Sequence, residues 1–217
     1  LSILLSNART SIVLMIIGIL LIFFGNLWIN NRRKKSSSRI IGYGAVLVVI
    51  TIFVIGLTFD NLKERFFHSD FLFQIGGRTN ISSIGLDVIF ENARNFLLGV
   101  GLNNYTDTIS KFGSDFSHTH PVHNIYLLLW AEGGIFHMLV YIVILVTILL
   151  KMVKVMYYGS VELATKALAV FVSIITIAVY NFTGWSPIHN QPFMLFVILI
   201  AISISITTEY KKSTNND

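Results

Sequence analysis

The stretch Ser117–Val146, "SHTHPVHNIYLLLWAEGGIFHMLVYIVILV", opens with three histidines in six residues and continues as a long apolar run. The histidines are His118, His120 and His123. From Asn124 onward the run contains a single charged residue, Glu132, before Lys151. About 20 mostly apolar residues are enough to cross roughly 30 Å of hydrocarbon, so this run predicts a membrane span. Titratable groups therefore lie at the edge of a span, and their use depends on the side of the membrane that they face.

The composition of the whole chain is typical of a polytopic membrane protein. Of its 217 residues, 54% are hydrophobic and 12% are charged, whereas a soluble domain usually carries about 25% charged residues. Long uncharged runs predict five transmembrane helices, each of which must satisfy its own backbone hydrogen bonds because lipid offers no partners. The predicted spans are 11–29, 40–58, 124–150, 164–183 and 192–208. We therefore expect an all-α fold, with residues 1–208 as one membrane domain and 209–217 as a cytoplasmic tail.

Other features of the composition exclude several classes of protein. The absence of cysteine rules out a disulfide-stapled ectodomain and thiolate chemistry. The net charge of +5 comes from basic residues in short loops, a pattern typical of membrane topology and not of nucleic-acid binding. The first apolar run has the length of a span and is not a cleavable signal. An abrupt start and an odd helix count indicate the C-terminal part of a longer protein.

The basic loops orient the predicted spans. Residues 30–39, "NNRRKKSSSR", hold five basic residues and no acidic one. The loop after the third span and the C-terminal tail are also basic, so all three segments are cytoplasmic under the positive-inside rule. The segment 59–123, the connection 184–192 and the entry to the first span near Arg9 then lie outside. The histidines face outward, away from ATP and nucleotide sugars, so chemistry there needs a substrate already carried across the membrane.

The outer segment 59–123 is too long for an ordinary connection, because loops beyond about 15 residues are usually functional or disordered. Apolar residues recur within it at helical spacing, with charged residues on the opposite face. The apolar residues are Ile81, Ile84, Val88 and Ile89, and the charged ones are Asp87, Glu91 and Arg94. Thr79 or Asn80 can cap this helix, and Gly99 and Gly101 end it. The pattern predicts an ordered amphipathic helix, lying on the membrane surface or packed on the bundle.

Three charged residues near the outer face are candidates for a functional site. Arg78 precedes the amphipathic helix, whose N-terminus favours an anion, although, taken alone, an ordinary surface arginine is the better explanation. Arg9 precedes the first span, where interfacial anchoring is the simple alternative. Glu132 lies inside the third predicted span, which is costly unless the carboxylate is paired or faces a polar cavity. Arg9 or Arg78 could pair with it, and Gly133-Gly134 beside it permits close helix approach.

The histidine cluster has a metal-binding interpretation and a simpler one. Its spacing lacks the i, i+4 geometry of known zinc sites, which makes a metal site the weaker interpretation. We expect His118 and His120 to be exposed loop residues, whereas His123 precedes Asn124, which could cap the following helix. His137 and His189 are expected to be structural.

Three segments in series resemble the O-antigen ligase/polymerase membrane domain. They are "LLSNARTSIVLMIIGILLIF" (4–23), "GGRTNISSIGLDVIFENARNFLLGVGLNNY" (76–105) and "THPVHNIYLLLWAEGGIFHMLVYI" (119–142). They repeat the family's arginine before a span, its glycine-flanked amphipathic helix, and its His-Asn before an apolar helix with an inward glutamate. Family members often place His-Pro directly before His-Asn. The extra Val122 leaves either His120 or His123 in the active position, and His123 keeps the spacing to the helix.

The resemblance implies a GT-C-like glycosyltransferase that needs neither a cofactor nor a metal ion. In the family, two loop arginines are thought to engage the pyrophosphate of a polyprenyl-linked glycan, and a histidine to assist the acceptor. These roles carry over to Arg9, Arg78 and His123, with Glu132 and Asn124 in support. The implied partners are the glycan donor, a glycan acceptor, the bilayer, a flippase and a chain-length regulator, and not nucleic acid. The implied location is the outer face of a bacterial plasma membrane.

The physical requirements of such a reaction agree with these residue types. Guanidinium groups at headgroup depth can stabilise charge on a pyrophosphate leaving group. An imidazole, with an ordinary pKa of about 6.5, can take the proton of the attacking hydroxyl, and direct displacement inverts the anomeric carbon. Aromatic residues could stack on sugars, although for Trp185 the interfacial aromatic belt is the better explanation. The candidates are Tyr105, Tyr126, Trp130 and Trp185.

Several functions remain open at this point. A composition rich in Asn, Lys and Ile is typical of an AT-rich genome and favours a polymerase over a ligase that serves a terminal acceptor. A transporter or flippase should carry charges in several spans and internal repeats, and neither is evident in the sequence. A structural subunit would leave the ordered outer segment without a purpose.

Overall fold

The computed structural model describes residues 9–38, 41–46, 48, 49, 53, 56, 82–109, 122–184 and 190–215. Within these ranges the chain forms helices and turns and no strand. The helices with defined bounds are α1 (Arg9–Arg32), α2 (Ala93–Leu98), α3 (Tyr105–Ile109), α4 (Ile125–Tyr158), α5 (Val161–Tyr180) and α6 (Asn190–Asn215). Residues 41–46 and 82–90 are also helical.

Four helices in the described ranges are long and apolar enough to cross a membrane. They comprise Thr10–Arg32, Ile125–Tyr158, Val161–Tyr180 and Phe193–Asn215. The expected class, an all-α polytopic membrane protein, is therefore confirmed. Of the second predicted span, 40–58, residues 41–46, 48, 49, 53 and 56 are described, and all of them are helical. Helix α6 continues to Asn215, so most of the expected tail, 209–217, is helical as well.

The chain divides into two compact units. The first comprises Leu1–His68, Ile148–Thr176 and Leu195–Asp217. In this unit α1 packs closely on α5 through a glycine, because a Cβ at Gly25 would lie 2.6 Å from Cδ1 of Leu168. The Arg32 guanidinium lies 4.4 Å above the ring of Tyr157. This contact joins the end of α1 to the end of α4. The positive charge of Arg32, in the last turn of α1, is also favoured by the dipole of that helix.

The second unit comprises Ser69–Thr147 and Ile177–Met194. Its core includes six apolar or aromatic side chains that are fully or almost fully buried. They are Val88, Ile89, Tyr105, Ile109, Val122 and Ile125. Most of these residues come from the outer segment, so the described part of that segment, 82–109 and 122–123, contributes to a hydrophobic core. The hydrogen bonds and ring contacts that build the candidate site below join residues of this unit.

Helix α4 is broken at Gly134, where φ is 77° and ψ is 177°. A positive φ of this kind is readily adopted only by glycine. The rings of Tyr126 and Tyr141 lie 6.0 Å apart, although a straight helix would separate these positions by about 22 Å at 1.5 Å per residue. The chain therefore turns back sharply at Gly134, between a short arm (residues 125–133) and a long arm (residues 135–158).

The break changes the expected position of Glu132. The long arm alone is about 36 Å long at 1.5 Å per residue, which exceeds the roughly 30 Å of hydrocarbon that a span must cross. The short arm is thus not needed for the crossing. Glu132, which a straight helix over 124–150 would place two turns inside the span, lies on the short arm instead, and its side chain is half-buried.

Candidate active site

The short arm begins with a capped turn directly after His123. The Asn124 side-chain oxygen accepts hydrogen bonds from the backbone N–H groups of Tyr126 and Leu127, at 3.0 and 3.2 Å. Asn124 therefore caps the helix, as its position predicts, and satisfies two of the N–H groups that a helix start leaves without partners. The neighbour on the other side, Val122, is fully buried. The half-buried His123 is thus held between a core residue and a helix cap.

The same helix start is anchored from the connection that follows α5. The backbone N–H of Ile125 donates to the carbonyl oxygen of Asn181 at 2.9 Å. The Asn181 side chain, which is fully buried, donates through Nδ2 to the Tyr141 hydroxyl at 2.6 Å. The Tyr126 hydroxyl in turn donates to the carbonyl of Ala178 at 2.7 Å. Asn181 consequently contacts the short arm with its backbone and the long arm with its side chain.

The other end of the short arm is held by the outer segment. The N–H groups of Val100 and Gly101 donate to the carbonyls of Ala131 and Glu132, at 2.8 and 3.0 Å. A helix that is interrupted leaves carbonyls without their N–H partners four residues later, and here the outer segment supplies replacements. Irregular backbone in membrane proteins is tolerated where protein covers it in this way. The break at Gly134 is therefore stabilised by hydrogen bonds from the outer segment.

Two glycines allow this close approach. Gly99 has φ 73°, and a Cβ there would collide with the carbonyl of Glu132. A Cβ at Gly134 would collide with the carbonyl of Leu97. Both residues therefore need glycine for backbone angle and for space. The expected close approach is present at Gly134, and the approaching elements are the end of α2 and the segment that follows it.

The predicted amphipathic helix is divided into two. Residues 82–90 form one helix, and α2 follows a corner at Glu91 and Asn92. Asn92 caps α2 by accepting from the N–H of Asn95 at 2.8 Å. Asn95 is buried, and its Nδ2 donates to the Val88 carbonyl at 3.1 Å and to Glu91 Oε2 at 2.8 Å. On the predicted apolar face Val88 and Ile89 are fully buried and Ile84 is half-buried, and the charged residues Asp87, Glu91 and Arg94 are exposed. Ile81 and the predicted caps Thr79 and Asn80 lie outside the described residues.

The aromatic candidates for sugar stacking have mostly structural positions. Tyr105 is fully buried, which excludes it from a sugar-facing surface. Burial raises the pKa of its hydroxyl to about 12. Trp130 packs edge-on against Phe90 and Phe96, with ring centroids 5.6 and 5.2 Å away. Its indole N–H donates to the Phe96 carbonyl at 3.1 Å, so it fastens α2 to the short arm. Trp185 lies outside the described residues.

The predicted arginine and histidine positions are described only in part. Arg9 is the first residue of α1, and only its backbone is described. Arg78, His118, His120 and His189 lie outside the described residues, so the convergence of Arg9, Arg78 and His123 stays a prediction. Among the residues that are described, the one ion pair joins Lys166 and Glu162 at 2.7 Å, and it does not involve Glu132. Within the described residues, no group of three or more potential metal ligands occurs.

Two features of the site were not predicted from the sequence. The bend at Gly134 is signalled only by two adjacent glycines after an acidic residue in an apolar run. Asn181 is signalled only by its position, as the one amide between the end of α5 and Thr183. Neither signal identifies the partner residues, which are distant in the sequence.

The fold and the site define a polytopic membrane protein whose outer segment is bonded to the short arm of a broken helix. A family model described as O-antigen ligase matches residues 1–142, well over half of the chain. The chain therefore belongs to the O-antigen ligase family, and its role is of the ligase or polymerase type in polysaccharide biosynthesis. The matched range includes the short arm of α4 and every described helix of the outer segment. No curated protein and no solved structure matches the chain.

Proposed function

We propose that this protein polymerises polyprenyl-pyrophosphate-linked oligosaccharide repeat units into a surface polysaccharide, on the extracytoplasmic face of a bacterial plasma membrane. The observation that carries the proposal is the family match, because residues 1–142 include Arg9, Arg78, His123, Asn124 and Glu132. A flippase would supply the donor, and a chain-length regulator would limit the product.

The reaction assigns a separate task to each type of side chain. A hydroxyl of the acceptor glycan attacks the anomeric carbon of the donor, and the bond from that carbon to the pyrophosphate oxygen breaks with inversion. His123 accepts the hydroxyl proton, which requires the imidazole in its neutral form. Arg9 and Arg78 stabilise the negative charge that develops on the polyprenyl pyrophosphate, with no metal ion. The leaving group stays in the membrane through its lipid tail.

The environment of His123 supports the role of a general base. A base must lie about 2.6–3.2 Å from the proton donor in the reactive complex, so its backbone must be held firmly. The cap at Asn124, the buried Val122 and the bond from Ile125 to Asn181 provide that rigidity. His123 is only partly buried, and of its two ring nitrogens Nδ1 is the buried one, so Nε2 is the nitrogen that we assign to the acceptor hydroxyl.

The test uses the purified full-length protein in lipid nanodiscs with synthetic polyprenyl-pyrophosphate repeat units. A polymerase converts them into a ladder of glycans, while polyprenyl pyrophosphate accumulates. A ligase adds the donor glycan once, and only when a terminal acceptor such as lipid A-core is supplied. Translocation of intact donor without a new glycosidic bond would refute both assignments. Loss of the ladder on addition of a chelator would refute the metal-free mechanism and revive the histidine cluster as a metal site.

A further inference from the structure

We propose that Asn181 is a positioning residue for the transfer reaction, because it fixes the short arm that begins just after His123. This inference rests on the proposed role of His123. Asn181 lies outside residues 1–142, the range that the family model matches. It belongs to the connection that follows α5, so a part of the chain remote from the family motif sets the geometry of that motif.

Asn181 joins the two arms of α4 through different groups. Its carbonyl accepts from the N–H of Ile125 at 2.9 Å, and its Nδ2 donates to the Tyr141 hydroxyl at 2.6 Å. Its neighbour Phe182 packs on Tyr126, with ring centroids 4.7 Å apart. These contacts hold the start of the short arm against the long arm. The bonds of Val100 and Gly101 hold only the opposite end of the short arm, next to the break.

The buried hydrogen bond between Asn181 and Tyr141 favours one conformation of the connection that follows α5. Asn181 is fully buried, and a buried polar group that loses its hydrogen bond is left with the full cost of desolvation. In surroundings of low dielectric the amide-to-hydroxyl bond is stronger than it would be in water. Removing either partner therefore frees the connection to move, and the Asn181 carbonyl with it. His123, two residues before Ile125, moves with the helix start.

A displacement of this kind affects the rate of reaction more than binding. A shift of about 1 Å in a reacting group can reduce the rate about 100-fold. The donor is recognised largely through its pyrophosphate and its lipid, and neither depends on His123 in the proposed mechanism. A loss of positioning therefore lowers kcat and leaves the KM for the donor nearly unchanged.

The test combines a distance measurement with kinetics on the full-length protein in nanodiscs. Because the chain has no cysteine, Leu129→Cys on the short arm and Ile144→Cys on the long arm give a unique pair of spin labels. Double electron–electron resonance then measures the distance between the two labels, and thus between the arms. Asn181→Leu and Tyr141→Phe each remove the amide-to-hydroxyl bond. Tyr157→Phe is the matched control, because it removes a tyrosine hydroxyl from the same helix outside the bend.

We expect Asn181→Leu and Tyr141→Phe to lengthen or broaden the distance between the labels. They should lower kcat about 10- to 100-fold and leave the KM for the donor within about twofold, while Tyr157→Phe changes neither quantity. Tyr141→Phe keeps the ring and is the deciding variant if Asn181→Leu does not fold. An unchanged distance in Tyr141→Phe, or a changed distance with unchanged kcat, overturns the proposal. If the unmutated protein forms no glycosidic bond, the proposed function fails, and the distance measurement still reports whether Asn181 holds the arms together.

Discussion

The backbone N–H of Val100 donates a hydrogen bond to the carbonyl oxygen of Ala131 at 2.8 Å. This bond joins the outer segment to the short arm of α4, three residues before that helix bends at Gly134. It explains why the bend is stable, since the carbonyl is satisfied without a continuous helix. The described part of the outer segment and the short arm are therefore packed together, and changes in either should affect the orientation of His123.

Replacement of Gly134 by alanine should destabilise the protein. Alanine at a φ of 77° and a ψ of 177° costs about 1–3 kcal/mol in backbone energy, and its Cβ would collide with the Leu97 carbonyl. We expect a lower unfolding temperature in detergent and loss of long-chain glycan. Gly42→Ala is the control, because nothing lies within 4 Å of a Cβ at this helical position. Equal stability of the two variants would contradict the role given to the bend.

Substitution of His123 should abolish transfer. His123→Ala removes the proposed base, whereas His137→Gln changes a histidine of the long arm that has no part in the mechanism. We expect the glycan ladder to disappear in the first variant and persist in the second, with equal amounts of inserted protein on immunoblots. The rate of the unmutated protein should fall at acidic pH, because a protonated imidazole cannot accept a proton. A normal ladder from His123→Ala would exclude it as the base and direct attention to His120.

The arginine that precedes the outer helices can be tested against another arginine of the same segment. Arg78→Lys keeps the charge but removes the bidentate geometry that suits a pyrophosphate, so we expect a large loss of kcat/KM. Arg94 is exposed on α2, and Arg94→Lys should have little effect. The measurement is the initial rate of polyprenyl pyrophosphate release. Similar rates for both variants would show that Arg78 does not bind the leaving group.

Removal of the Tyr105 hydroxyl should leave the protein as stable as before or more stable. Among the described residues this buried hydroxyl has no hydrogen-bond partner, and an unsatisfied buried group costs about 1–3 kcal/mol. The pKa is raised from 10.0 to about 12 in the fold. The unfolded state therefore ionises first, and the stability contributed by neutral Tyr105 is complete below pH 10 and declines from pH 10 to about pH 12.

The measurement for Tyr105 is the difference in unfolding temperature between the unmutated protein and Tyr105→Phe over this alkaline range. The difference should grow in favour of Tyr105→Phe as the pH rises above 10. A variant that is clearly less stable than the unmutated protein at neutral pH would show instead that the hydroxyl has a partner.

Much of the architecture follows from local properties of the chain. Apolar runs of sufficient length predict spans because each helix satisfies its own backbone hydrogen bonds in lipid. The cap at Asn124 and the buried stripe of Val88 and Ile89 are likewise predictable, because both depend on residues within about one or two turns. The division of the outer helix at Asn92 was not predicted, although asparagine is a common capping residue.

The sequence alone thus established the membrane class and predicted four spans that the structure describes as long apolar helices, while the candidate histidine and arginine positions stay predictions. Only the tertiary structure revealed that α4 reverses at Gly134 and that Asn181 ties its arms together. The physical reason is the range of the interactions. Hydrophobicity and capping act between near neighbours, whereas the bonds from Ile125 to Asn181 and from Val100 to Ala131 join residues far apart in the chain. A glycine adopts either sign of φ with similar ease, so its final angle is set by the partners that the fold brings to it.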